Sequence, residues 1–300
     1  MLKHLIVPLD GSRLSESALP TAVHLAQKLQ ATVTLVHVIE KNAPTAIHGE
    51  PHLSKPEEAE SYLEEVERRF FPPGVSVDRH VHKTAITDVA SSIAEHTREL
   101  KSDLVVMCVH GRSGMRKLLF GSIAQQVVSA KVAPVLLIRP TEGGVAPFLS
   151  GRPFLVPLDG TTAREQALPI AALLASVCGV DLKLLMVVPT LGTLSGVETT
   201  SRILLPATTQ ELLTFATEDA EAYVRQLLSN LGANGFTATA EIRRGDLAEM
   251  IVTEAHRLGV DMIIMATLGK VGLNAFWSSC LAPRVTERTQ LALLLVPVRS

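Results

Sequence analysis

The chain has 300 residues, a length typical of two domains of about 150 residues each. Apolar residues make up 47% of the chain and aromatic residues only 4%, which favours an aliphatic core and a layered α/β fold. The formal net charge of -2 argues against a nucleic-acid partner, because proteins that bind nucleic acid usually carry a basic patch.

Hydropathy and cysteine spacing exclude further classes of protein. The uncharged stretch from Gln166 to Val180 is too short to span a membrane, and residues 1–11 lack the apolar length of a signal peptide. The three cysteines Cys108, Cys178 and Cys280 form no CxxC pair, so neither a disulfide framework nor a zinc-thiolate site is expected. These features predict a cytoplasmic protein with no membrane contact.

The first half of the chain alternates strand and helix patterns. In chain order we predict a strand over 3–10, a helix over 15–29, a strand over 32–38, a helix over 57–70, a strand over 75–81, a helix over 88–100, a strand over 104–108, a helix beginning at Ser122 and a strand over 135–138. The strand over 104–108 is apolar on both faces, which is typical of a parallel sheet covered by helices on each side.

The second half repeats the first. The pentapeptide VPLDG closes a strand at 7–11 and again at 156–160, and each copy continues into a helix with the same spacing from Asp-Gly to Ala-Leu-Pro. The second half is predicted to contain strands over 153–159, 181–187, 237–242, 262–265 and 292–296, with helices over 163–177, 209–231, 246–258 and 279–288. The chain is therefore an internal duplication.

This alternation predicts two doubly wound α/β domains, over residues 1–143 and 151–300, joined by a Gly/Pro-containing linker at 141–151. Each domain should hold a five-stranded parallel sheet in the order 3-2-1-4-5. The fifth strands, Val135–Ile138 and Leu293–Val296, are aliphatic edge strands, and exposed apolar edges favour pairing. We therefore expect the two edges to pair within the chain as a pseudo-dimer, while further homodimerisation stays open.

Ligands of such sheets bind at the carboxyl ends of the strands beside the reversal in strand order. In the first half those ends carry Asp10 and Cys108, and a basic loop with Gly111 and Gly121 follows the fourth strand. Glycines let backbone N–H groups approach a phosphate closely, and Ser122 stands where it would cap the helix that follows. The residues thus predict a phosphate site, with a plain glycine-rich turn as the alternative.

With the duplication established, the chain resembles a tandem universal stress protein over both halves. Nucleotide-binding members of that family carry Gly-x2-Gly-x9-Gly-(Ser/Thr) after the fourth strand, and this chain matches with Cys108 in place of the first glycine. The resemblance implies that Asp10 and Val38, which follows His37, hold the adenine-ribose end of a nucleotide. The residues expected at the site are Pro8, Leu9, Asp10, Val38, Met107, Cys108, Gly111, Arg112, Gly121, Ser122 and Ile123.

The second half keeps less of the pattern. It has Ala266, Gly269, Ser279 and Cys280 at the corresponding positions, so a nucleotide site is expected chiefly in the first half. The resemblance implies a stress-response regulatory protein that binds ATP or another adenine nucleotide, with or without Mg²⁺. Hydrolysis of the nucleotide is not expected to be part of its function. The sequence shows no phosphate-binding loop of the GxxxxGK[ST] type and no catalytic base.

Alternative functions stay open from the sequence. One is a ligand-free scaffold whose nucleotide sites have decayed and whose surface near Phe276 and Trp277 contacts a protein partner. A thiol-based redox sensor at Cys108 is weaker. His80 and His82 share one face of a strand, but without a visible third ligand they are expected to face solvent, and no metal or catalytic residue is predicted.

Overall fold

The structure is a computed structural model that describes residues 2–47, 49–109, 121–140, 149–190, 192–193, 206–267 and 281–298. These residues form two compact units. The first contains the described residues up to 150 together with 281–297, and the second contains the described residues of 151–267 together with 298. The predicted domains 1–143 and 151–300 follow the repeat in the sequence instead, and they stay a prediction.

The elements of the first repeat follow the predicted alternation. They are β1 (His4–Pro8), α1 (Arg13–Glu16), α2 (Leu19–Leu29), β2 (Thr32–Glu40), β3 (Ala46–Ile47), β4 (Glu50–Pro51), α3 (Pro56–Phe70), β5 (Val77–Ile86), α4 (Val89–Glu99), β6 (Leu104–Cys108), α5 (Ser122–Ser129) and β7 (Val135–Ile138). The strands β3 and β4 form a small antiparallel hairpin between β2 and α3.

The described elements of the second repeat follow the order of the first repeat, without counterparts of β3 and β4 among the described residues. They are β8 (Phe154–Leu158), α6 (Thr162–Glu165), α7 (Leu168–Cys178), β9 (Leu182–Val188), α8 (Pro206–Ala233), β10 (Ala238–Arg244), α9 (Leu247–Arg257), β11 (Met262–Thr267), α10 (Leu281–Thr286) and β12 (Ala292–Pro297). The last two belong to the first compact unit. None of the described helices combines the length and apolarity needed to cross a membrane.

The first unit confirms the predicted sheet. Its strands lie in the order β5-β2-β1-β6-β7, which is 3-2-1-4-5 in the numbering of the repeat, and all four pairings are parallel. The next strand, β12, pairs antiparallel with β7 through Leu293 opposite Leu137. The predicted pairing of the two edge strands is thus confirmed. Both strands are fully buried, because covering an aliphatic edge lowers the free energy of the folded chain.

The second unit contains the strands β10-β9-β8-β11, which are positions 3-2-1-4 of the second repeat, and its described pairings are parallel. The strand β8 is buried throughout, as a central parallel strand with helices on both faces should be. The doubly wound α/β class predicted from the alternation is therefore confirmed.

The single helices predicted over 15–29 and 163–177 are each two helices. In the first repeat α1 ends at Glu16 and α2 begins at Leu19, with Pro20 in its first turn. In the second repeat α7 likewise has Pro169 in its first turn. Proline lacks the N–H that a helix interior needs, so it is accommodated at a helix start and breaks a longer helix there.

Candidate functional site

The carboxyl ends of β1, β2 and β6 meet at the point where the strand order of the first unit reverses. Pro8 lies opposite Val36 of β2, and the Leu9 N–H donates to the Val36 carbonyl at 2.8 Å. On its other side β1 pairs with β6 through Ile6 and Val105. This register carries Asp10, Val38 and Cys108 to one edge of the sheet, where doubly wound folds bind ligands.

Asp10 sits in a turn that fixes its carboxylate. Asp10 Oδ1 accepts hydrogen bonds from the Ser12 N–H at 2.9 Å and from Ser12 Oγ at 2.6 Å. The Asp10 N–H in turn donates to Ser15 Oγ at 3.3 Å. Between them Gly11 has φ +90°, and a Cβ there would lie 2.8 Å from the Leu53 side chain. Glycine fits here because it adopts a positive φ without strain and has no Cβ to meet Leu53.

His37 ties the segment around Leu53 to the end of β1. Its Nδ1 lies 2.8 Å from the Leu9 carbonyl oxygen and its Nε2 lies 3.4 Å from the Leu53 carbonyl oxygen. Burial lowers the pKa of His37, and it outweighs the two carbonyls, which favour the charged form. Val38, the next residue, is buried in β2. Val38, which the family pattern assigns to the adenine-ribose end, thus lies in a buried part of the fold.

Cys108 ends β6 as a buried thiol. Its Sγ accepts a hydrogen bond from Ser17 Oγ at 3.1 Å. Burial raises the pKa of Cys108 to about 12, and the negative charge of Asp10 adds to this effect. Because the thiolate is the reactive form, the structure argues against the redox-sensor alternative. Its neighbour Met107 is also buried.

The predicted helix cap is wrong in detail. The helix α5 begins at Ser122, but its N-cap is Gly121, and no side chain caps it. Ser122 and Ile123 are exposed in the first turn, as ligand-facing positions would be. Gly121 has no side chain that could accept hydrogen bonds from the first backbone N–H groups of α5, and helix N-termini of this kind suit an anion. Gly111 and Arg112 lie outside the described residues.

Arg139 was not singled out from the sequence. It follows β7, is only 6% exposed and donates from Nη1 to the Thr289 carbonyl at 3.1 Å. Burial lowers its pKa, whereas the nearby Cys108 favours its charged form. A buried cation close to Cys108 adds positive charge beneath this edge of the sheet, and its sequence context, the end of an aliphatic strand, predicted no such role.

The second repeat builds the same turn and fills the space beside it. Asp159 Oδ1 accepts from the Thr161 N–H at 3.0 Å and from Thr161 Oγ1 at 2.6 Å, as Asp10 does from Ser12. Here, however, Arg164 donates from Nε to Asp159 Oδ2 at 3.2 Å and from Nη1 to the Ala266 carbonyl. Ala266 is the counterpart of Cys108. The arginine thus bridges the carboxyl ends of β8 and β11.

The histidine pair of β5 has a third partner, which corrects the expectation that it faces solvent alone. His96 of α4 is buried, and its Nε2 lies 3.0 Å from His82 Nδ1. The rings of His80 and His96 are in edge contact, with centroids 4.3 Å apart. Sequence spacing missed this cluster because His96 is fourteen residues from His82 and reaches it only through the packing of α4.

Comparisons with known proteins agree with this architecture. The model of the universal stress protein family matches residues 1–139 and again residues 151–297. A universal stress protein of Methanocaldococcus jannaschii is 28% identical over 146 residues, covering 46% of this chain and 83% of that protein. The universal stress protein YxiE of Bacillus subtilis is 26% identical over 151 residues, covering 46% of this chain and 100% of that protein.

A solved structure supports the fold over the whole length. The crystal structure of a universal stress protein from Archaeoglobus fulgidus has a TM-score of 0.67 at 15% sequence identity, and the match covers 99% of this chain and 97% of that one. The two family matches lie on the two repeats that the VPLDG pentapeptides mark. The chain belongs to the universal stress protein family and is a tandem, two-domain member of it.

Proposed function

We propose that the first repeat binds an adenine nucleotide, with ATP as the first candidate, and that the protein acts as a stress-response regulator that does not turn the nucleotide over. The observation that carries the proposal is the difference between the two strand-end turns. Asp10 Oδ1 is held by Ser12 at the carboxyl end of β1, whereas at the equivalent place Arg164 binds Asp159 Oδ2 and the Ala266 carbonyl. Because the arginine occupies the corresponding place in the second repeat, we assign the nucleotide to the first.

Each part of the proposed site has a physical role. Asp10 would accept hydrogen bonds from ribose hydroxyls, and the backbone near Val38 would face the base. The N-terminus of α5, beginning after Gly121, would face the phosphates, whose negative charge its N–H groups and dipole favour. Gly111 and Arg112 complete the proposed phosphate loop on the strength of the family pattern.

Calorimetry of the full chain with ATP, ADP, AMP and cyclic nucleotides tests the proposal. We expect one nucleotide per chain, and Asp10→Ala should weaken binding about 10- to 100-fold, since a hydrogen bond to a charged group contributes about 1.5–3 kcal/mol. Gly121→Val should abolish binding, because its side chain would fill the space in front of α5. The matched control is Asp159→Ala, which should leave binding unchanged.

Two outcomes would overturn the proposal. One is the absence of binding heat for every nucleotide up to millimolar concentration. The other is an equal loss in Asp10→Ala and Asp159→Ala, which would show that Asp10 has no special role. A ligand-free scaffold is the competing function, and its proposed contact residues, Phe276 and Trp277, lie outside the described residues. Mass spectrometry of the ligands released from denatured protein separates the two functions, since stoichiometric nucleotide excludes the scaffold.

A further inference from the structure

We propose that His80, His82 and His96 form a binding site for a divalent transition-metal ion, with Zn²⁺ as the ion of first choice. Each histidine offers one ring nitrogen, and the three nitrogens all lie within 4.8 Å of one another. Imidazole nitrogen is a preferred ligand of Zn²⁺, Cu²⁺ and Ni²⁺, whereas Mg²⁺ and Ca²⁺ prefer oxygen. The site is separate from the proposed nucleotide site and does not depend on it.

The strand β5 directs two of the ligands toward α4. Side chains alternate along a strand, so His80 and His82 share one face and Arg79 and Lys83 share the other. Arg79 pairs with Glu67 at 3.3 Å and Lys83 pairs with Glu60 at 2.8 Å, which places α3 on that other face. The histidine face is left to α4, which supplies His96.

The nitrogens are already close to the spacing that a metal requires. His82 Nδ1 and His96 Nε2 are 3.0 Å apart. Two imidazoles on a tetrahedral Zn²⁺, each with a bond of about 2.0–2.1 Å, hold their nitrogens about 3.3 Å apart. The three nitrogens lie within 4.8 Å of one another, so small rotations of the rings would let all three ligate. Three protein ligands leave a fourth position for water, as in open zinc sites.

The surroundings of His96 and His80 favour ligation. His96 Nδ1 lies 3.3 Å from Glu99 Oε2, so a carboxylate can hold the proton on Nδ1 and leave Nε2 free to bind a metal. The buried His80 Nε2 has no hydrogen-bond partner among the described residues. Leaving such an atom unsatisfied costs free energy, which calls for an explanation such as an ion.

The equivalent corner of the second repeat shows what a purely structural arrangement looks like. Strand register places Glu241 and Arg243 where the first repeat has His80 and His82. The N-caps Asp88 and Asp246 align Glu254 with His96. There two arginines and two glutamates form a set of opposite charges, consisting of Glu241, Arg243, Glu254 and Arg257. The first repeat has three bases and one carboxylate, and a cation would complete the set.

Zinc titration of the tag-free full chain tests the site. We expect one Zn²⁺ per chain at micromolar or lower concentration, measured by competition with a chromogenic chelator, and a Co²⁺ complex with the intense visible absorption of four-coordinate cobalt. His80→Asn and His82→Asn should each weaken binding by at least the 10- to 100-fold typical of lost supporting residues. The exposed His256→Asn of α9 is the matched control and should bind Zn²⁺ like the unaltered chain.

Glu99→Gln separates a metal site from a packed histidine cluster. Glu99 is 70% exposed, so Glu99→Gln should leave folding unchanged. The substitution should nevertheless weaken Zn²⁺ binding about 10-fold, because the proton on His96 Nδ1 loses its carboxylate acceptor. The proposal is overturned if the folded full chain binds no Zn²⁺ at these concentrations. It is equally overturned if His80→Asn and His82→Asn bind Zn²⁺ as tightly as His256→Asn, because the ion would then occupy other ligands.

Discussion

The turns that follow β1 and β8 share one backbone and differ in their neighbours. In both, an Asp carboxylate accepts two hydrogen bonds from the residue two positions on, and in both a glycine with positive φ follows the Asp. The first turn is covered by Leu53, whereas the second is bridged by Arg164. The duplication has therefore kept the turn that the backbone requires and changed the side chains beside it.

The corner between the third strand and the next helix also differs between the repeats in its side chains. The first repeat places three histidines there, and the second places a network of two arginines and two glutamates. Glu254 in that network has only 6% of its side chain exposed. A buried carboxylate is tolerated when it is paired and hydrogen-bonded, so this corner is held by charge where the other offers metal ligands.

The largest expected effect concerns the two turn glycines. Gly11→Ala should lower the free energy of unfolding by about 2–3 kcal/mol, because φ +90° strains any side chain and the new Cβ meets Leu53 at 2.8 Å. Gly160→Ala should cost only about 1 kcal/mol, because at φ +79° its nearest neighbour is the flexible end of Met186 at 3.4 Å. Urea unfolding of both variants measures the difference. Equal losses would show that Leu53 moves aside without cost.

A smaller effect is expected at Glu254. Burial alone would raise its pKa, but hydrogen bonds from Arg257 and Arg243 outweigh burial and lower it. A lowered carboxylate pKa stabilises the fold above the unfolded value of 4.5, and this stabilisation is lost as the pH falls through the folded value. Glu254→Gln should therefore cost about 1–2 kcal/mol at neutral pH, since both arginines are partly exposed.

The pH series identifies the origin of that loss. The unfolding free energies of Glu254→Gln and of the unaltered chain should converge as the pH falls from 4.5 through the lower folded pKa of Glu254, because below that pKa the carboxylate is protonated in both states. A difference that stays constant down to low pH would mean that Glu254 acts through packing rather than charge. Glu99, which is 70% exposed and occupies the position equivalent to Arg257, provides the control: Glu99→Gln should cost less than about 1 kcal/mol.

The smallest effect is expected at Arg164. Arg164→Ser introduces the residue type that Ser15 provides in the first repeat, and it removes the bonds to Asp159 and Ala266. The cost should be about 1 kcal/mol or less, because Asp159 is partly exposed. Calorimetry should still give one nucleotide per chain, since the substitution restores no glycine. A second bound nucleotide would show that Arg164 alone keeps the second repeat empty.

Sequence patterns were sufficient for most of the fold. Aliphatic strands alternating with amphipathic helices predicted the parallel sheets, their order and the pairing of the edges, and these were confirmed. Helix ends were less secure: Pro20 divides a helix that was predicted as one, and Gly121 rather than Ser122 caps α5. A proline or glycine changes the local backbone by one or two residues, which is finer than hydrophobic periodicity resolves.

Some features of the candidate site could likewise be predicted from the sequence, and others only from the structure. The sequence by itself determined the duplication, the strand ends that carry Asp10 and Cys108, and the loss of the glycine pattern in the second repeat, because these are matters of spacing along one chain. Only the tertiary structure decided that Arg164 reaches the Ala266 carbonyl as well as Asp159, and that His96 joins His80 and His82. The contact with Ala266 and the histidine cluster depend on how helices pack against strands of the folded sheet, and local patterns do not specify that packing.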